Sequence, residues 1–172
     1  LNTYFVLQKI KQAGGKINER KVLLMIMIHD LPELFGGDIS APLNRKYPDL
    51  REYKNKIGER AIQMMAEYMD ETTAKEFENL HQEMDSYGSD EAVIAKIMDQ
   101  MDHQFFLEHL NYREKYNQGQ EDYRASFVKN HIYQLTEKIQ AEKTKKVLTD
   151  FLDEFQKNYF NHGFQGISFL ME

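Results

Sequence analysis

Apolar residues in this chain recur at three- and four-residue spacing, and alternating runs of the β type are almost absent. TYFVLQKIKQA (3–13) predicts a first helix, closed by Gly14-Gly15. NERKVLLMIMIHD (18–30) predicts a second, with Asn18 as N-cap and seven consecutive apolar residues from Val22 to Ile28. A helix apolar all round is expected to be buried. The three prolines, at 32, 42 and 48, fall in one window, so 32–48 reads as a loop with at most a short helical turn. Asp49 is placed to cap an amphipathic helix running to about Met69, with Ile57, Ala61, Ile62, Met65 and Met69 on its apolar face. A helix over about 72–84 ends at Ser-Tyr-Gly-Ser (86–89). Ser89 then caps a helix over 90–110 whose Ala92, Ile94, Ala95, Met98 and Met101 form one stripe. A polar turn at 117–122 and helices over about 122–139 and 143–158 precede an aromatic, glycine-containing tail. The pattern predicts an all-α protein, one domain over residues 1–172, with no repeat or linker.

Length and composition narrow the chemistry. A chain of 172 residues can bury a core without disulfides or a structural metal. There is no cysteine, which excludes thiol nucleophiles and cysteine-based zinc sites and fits a reducing cytoplasm. The net charge of −6 argues against a nucleic-acid polymer as partner, since phosphate backbones call for a basic face. No apolar stretch approaches the ~20 residues of a membrane span, and no signal-peptide core is visible at the N-terminus. The expectation is a cytoplasmic protein without a membrane partner.

The apolar run ends in MIMIHDLPELFGGDIS (25–40). His29 and Asp30 point about 100° apart on a helix, so both can reach a cation lying between them. Imidazole and carboxylate together suit divalent transition metals such as Mn, Co, Fe or Zn. Pro32 should kink or stop the helix beside them. Glu33, four residues after His29, shares their face if the turn stays helical, and there it is a candidate general base. Gly36-Gly37 lets the chain turn sharply and bring Asp38 back toward the site. Alone, a His-Asp dipeptide is common and these acids read as caps or solvated side chains. Together they must be paired, protonated or metal-bound. Asp99, following Ile94, Ala95 and Met98 on an apolar face, is a further candidate ligand. A salt bridge to a lysine or arginine explains it equally well, and Asp102 is its rival. His103 supports the site only if it faces inward, and His109 more so reads as structural. Arg45, Lys46 and Lys54 can receive a phosphate or simply form a solvated face. Phe105-Phe106 reads as core or contact before it reads as a stacking platform.

HDLPE, GDISAP and AKIMDQMD together resemble the HD-domain metal-dependent phosphohydrolases, and within them the bacterial 5'-deoxynucleotidase and nucleoside-monophosphatase branch. The resemblance covers about residues 1–110 and is strongest over 22–42. It implies an HD-domain helical bundle with a central buried helix carrying the His-Asp pair. It also implies one divalent metal (Mn, Co, Mg, Fe or Zn) held by an upstream histidine, His29, Asp30 and Asp99. Glu33 and Asp38 would work around the attacking water and the substrate, a small phosphomonoester such as a nucleoside monophosphate. Pro42 matches the proline after GD, and Glu59 in KNKIGERAIQ falls on the family's usual glutamate, which would support a ligand residue or the fold rather than bind the metal. A homodimer is the implied assembly. The sequence departs from the family at Asn2, which stands where the first histidine ligand is expected unless that histidine lies upstream of Leu1. The alternative is therefore a weakened or inactive HD-like module binding a nucleotide or protein partner. Cyclic-phosphodiester or di-iron chemistry ranks lower, the latter needing more histidines. Residues 111–172 carry no readable motif.

Overall fold

The structure, a computed structural model, describes residues 1–39, 43, 46–109 and 128–160, and within them the chain is helical with no strand. Helix α1 (Asn2–Gln12) ends in a Schellman motif: Gly14 takes φ 73°, its N–H donates to the Lys11 carbonyl, and Gly15 N–H donates to the Ile10 carbonyl. Helix α2 (Glu19–Ile28) starts at Asn18, whose side chain accepts from Lys21 N–H at 3.1 Å. A short α3 (Glu33–Gly36) follows the His-Asp turn, and then come α4 (Leu50–Ala66), α5 (Glu71–Ser86) and α6 (Asp90–His109). Beyond residues 110–127, a π-type turn at Val128–Ile132 runs into α7 (Tyr133–Thr136), and α8 is Glu142–Phe160.

Several boundaries differ from expectation for visible reasons. Asp49 makes no cap bond, because Leu50 and Arg51 N–H already close turns onto Tyr47 and Pro48 and hold Asp49 in helical conformation. The side chain that does cap is Asp70, accepting from Thr72 and Thr73 N–H at 3.1 Å, so α4 stops at Ala66 and α5 begins at Glu71. Tyr87 (φ 54°) takes the left-handed position that ends α5, and Ser89 caps α6 through Ala92 N–H. The helix expected over 122–139 ends at Thr136 where it is described. The predicted turn at 117–122 and the C-terminal tail lie outside the described residues, as do Pro42 and Arg45.

The core is organised around α6. Ala92, Ile94, Ala95, Ile97 and Met101 have no exposed surface, and α1, α2, α5 and α7 all pack on this helix. The same buried cluster takes Val6, Leu7 and Ile10 from α1 and Leu148, Phe151 and Leu152 from α8. Helix α2 lies most extensively against α6, but it is buried on one side only: Val22 and Met25 are fully covered while Met27 is 72% exposed. Seven successive apolar residues go round the helix about twice, and among the described residues α1, α5 and α6 cover only part of that circumference. The expectation of burial all round is corrected accordingly. A second cluster, Ile62, Ala66 and Phe77 between α4 and α5, takes in Ile28 and Leu31. Ile28 packs on both clusters, so the turn that begins at His29 is anchored on two sides. Among the described residues no helix is long and apolar enough to cross a membrane.

Candidate metal and acid–base site

Helix α2 ends where Pro32 requires, and Leu31 and Glu33 N–H close tight turns onto Ile28 and Asp30. This leaves His29 at the helix terminus, with its side chain 17% exposed. The Nδ1–H of His29 donates to the Ile26 carbonyl at 2.7 Å; a carbonyl only accepts, so the proton on this nitrogen is fixed. Its Nε2 then faces two acceptors, Asp99 Oδ1 at 3.0 Å and Asp30 Oδ1 at 3.1 Å. A nitrogen between two carboxylates needs a proton or another cation in front of it. The second oxygen of Asp99 accepts from Lys96 Nζ at 2.6 Å and from Gln100 Nε2 at 3.1 Å.

The electrostatics follow from this arrangement. Burial alone would lower the His29 pKa, but the hydrogen bond and charge of Asp99, the Ile26 carbonyl and Asp30 outweigh it and raise the value above 6.5. Burial alone would raise the Asp99 pKa, but the His29 hydrogen bond and the Lys96 charge hold it well below 3.8. The candidate salt bridge for Asp99 is thus present, to Lys96, together with the contact to His29.

A second group lies on the far side of Pro32. Lys54 Nζ donates to Glu33 Oε1 at 2.8 Å and to Asp38 Oδ1 at 2.5 Å. The return of Asp38 depends on two different glycines. A Cβ on Gly36 would lie 2.4 Å from Ile57 Cγ2, so any larger residue there would force Ile57 to shift where α3 lies on α4. Gly37 has open space around it but takes φ 70° and ψ 174°, a region essentially reserved for glycine. Pro32 packs toward Gly58, and Lys54, Ile57 and Gly58 form one face of α4 at i, i+3 and i+4. The hydrogen bond from Lys54 holds Asp38 below 3.8, with Glu33 contributing a hydrogen bond and burial acting the other way. Burial would lower the Lys54 pKa, but Asp38 and Glu33 together raise it.

The structure therefore brings His29, Asp30 and Asp99 together, and Glu33 and Asp38 together, in two groups with no hydrogen bond or ion pair between them among the described residues. Asn2 opens α1, half-buried and outside both groups. Asp102 and His103 are exposed on α6, so neither supports the site, and Glu59 is exposed on α4. His81 lies 3.6 Å from Asp85, and Lys46 sits over the Tyr47 ring. Phe105 packs edge-on against Phe155 in the core, while Phe106 is 58% exposed. Sequence reasoning missed Lys96, although an i,i+3 lysine before Asp99 is a readable signal. It offered Lys54 as a phosphate receptor or part of a solvated face, since no local spacing links it to acids 21 and 16 residues earlier.

The HD-domain family model matches residues 4–143, which include all five candidate residues of the two groups and leave out Asn2. The chain belongs to the HD-domain family. No curated protein and no solved structure matches the chain. HD domains are typically metal-dependent hydrolases that bind divalent ions. The donor set here, one imidazole nitrogen and two carboxylates, fits such an ion by its chemistry. Neighbouring ligand atoms around an octahedral ion with bonds near 2.1 Å lie about 3 Å apart, comparable with the His29–Asp99 and His29–Asp30 separations. As they stand, however, these residues form with Lys96 a hydrogen-bonded cluster that is charge-balanced when His29 carries a proton on both nitrogens. Among the described residues no group of three or more histidine, aspartate or glutamate side chains is arranged to hold a metal.

Proposed function

We propose that this HD domain is a metal-dependent phosphohydrolase that cleaves a small phosphomonoester, with a nucleoside 5'-monophosphate as the substrate class. The observation that carries the proposal is the His29 imidazole: Nδ1–H is tied to Ile26, so Nε2 faces Asp30 and Asp99 and calls for a positive charge. One divalent ion, held by His29, Asp30 and Asp99, would polarise the phosphate and lower the pKa of a bound water. Glu33 and Asp38, one turn and one loop further on, are the acids assigned to orient that water and to exchange protons with it and the leaving group. The nucleotide, the membership of the 5'-deoxynucleotidase branch and a homodimer are parts of the proposal that rest on the resemblance carried by HDLPE, GDISAP and AKIMDQMD. A single domain over the whole chain is proposed from its length and from the lack of a repeat or linker in the sequence.

A second reading, an HD-like module without turnover, is favoured by Lys96, which already neutralises Asp99 and leaves the cluster balanced without an ion. The two are separated by incubating the protein with nucleoside monophosphates in the presence of Mn, Co, Mg or Zn, with EDTA controls, and measuring released phosphate. Metal-stimulated, EDTA-sensitive release that disappears in Asp30→Ala supports the enzyme. No release with any metal supports the module.

A further inference from the structure

We infer that Lys54 is the positioning residue of the acid pair: its ammonium ties Asp38, on the loop, to Glu33, on α3, and so fixes both carboxylates beside the His29–Asp30 turn. The geometry is specific. One Nζ reaches Glu33 at 2.8 Å and Asp38 at 2.5 Å, and its side chain is only 32% exposed. The face of α4 that carries Lys54 is the face on which Gly36 and Pro32 rest, through Ile57 and Gly58. Lys54 is therefore held by the same packing that seats α3. Without it, the two acids would lose the cation they share, and Asp38 would lose a side-chain tie to α4. The low pKa of Asp38 agrees with a cation held in place. An isolated surface ion pair contributes little, but here a single cation serves two acids with assigned roles.

The catalytic consequence rests on the phosphohydrolase reading above. In that setting, Lys54→Met should lower kcat by about 10- to 100-fold, the usual cost of misplacing an acid–base group, with KM changed by less than about twofold. Lys54→Arg, which keeps the charge and can reach both acids, should recover most of the rate, and circular dichroism melts confirm that both variants fold. A large rise in KM with kcat intact would make Lys54 a substrate-binding group and overturn the inference. Unchanged kcat and KM would reduce it to a surface ion pair.

A readout independent of turnover is the carboxyl ¹³C titration of Asp38 and Glu33, with amide exchange at Gly37 and Ile39. In Lys54→Met the Asp38 midpoint should rise and the loop amides should exchange faster. If both stay as in wild type, Lys54 positions nothing. If the wild-type protein releases no phosphate from any monoester, only the phosphohydrolase reading falls, and the titration still decides the assignment of Lys54.

Discussion

Replacing Asp99 by Asn tests whether the acids around His29 are already balanced in the metal-free protein. Asp99 is 21% exposed on its side chain and accepts from His29, Lys96 and Gln100. Asparagine keeps one carbonyl acceptor and turns an NH2 toward the remaining donors. Lys96 is 30% exposed and can rotate into water, so its loss counts little. What asparagine cannot supply is the negative charge opposite His29, which is mostly buried. A hydrogen bond to a charged group contributes about 1.5–3 kcal/mol, and asparagine avoids part of the carboxylate's desolvation cost. A net destabilisation of about 2 kcal/mol, or roughly 4–8 °C in Tm for a chain of this size, is expected. The pH window follows from the two shifts. The depressed Asp99 contributes above 3.8 and loses its contribution as pH falls through its folded value. The raised His29 contributes fully below 6.5 and loses its contribution as pH rises through its folded value. The difference between wild type and Asp99→Asn should therefore be largest between 3.8 and 6.5, measured by thermal denaturation in EDTA. Acids held together only for a metal would repel one another in EDTA. In that case Asp99→Asn would leave Tm unchanged or raise it, and the charge-balanced description would be wrong.

Four further outcomes are expected. Gly37→Ala meets no steric contact, yet it should cost about 1–3 kcal/mol because φ 70° and ψ 174° are closed to alanine; a melting curve like that of wild type would refute this. Phe151→Ala empties a fully buried position in the main cluster and should cost about 3–5 kcal/mol, read from urea denaturation. Glu83→Gln should remove the ion pair to Lys21. Burial raises the Glu83 pKa, but the Lys21 and Ser89 hydrogen bonds outweigh it and lower the value. Its stabilisation is therefore present well above 4.5 and lost as pH falls through the folded value, so the Tm difference should vanish in acid. Asp70→Ala should shorten α5 at its start by removing the cap to Thr72 and Thr73, seen as faster amide exchange at those two residues.

Much of this molecule is legible from local pattern. Asn18, Ser89 and Gly14-Gly15 mark helix ends because cap chemistry acts within three or four residues. His29, Asp30, Glu33 and Asp99 end an element or lie on a helix readable from spacing, and Gly36-Gly37 marks the turn that returns Asp38. What was not legible depends on tertiary contact. Lys54 meets Glu33 and Asp38 only because α3 rests on α4, and Asp49 fails as a cap because Tyr47 and Pro48 have already begun the turn. Met27 is exposed because neighbouring helices cover one side of α2, something a uniformly apolar run cannot reveal.

The most direct measurement of the central claim is metal stoichiometry. Wild type and Asp30→Ala would each be equilibrated with Mn or Zn, freed of excess ion and assayed for bound metal. Asp30 is 68% exposed on its side chain, so its truncation leaves the core intact and a loss of metal is not a loss of fold. The expected result is about one ion per chain in wild type and far less in Asp30→Ala. Equal metal in both proteins, or none in wild type, would contradict a metal site built on His29, Asp30 and Asp99.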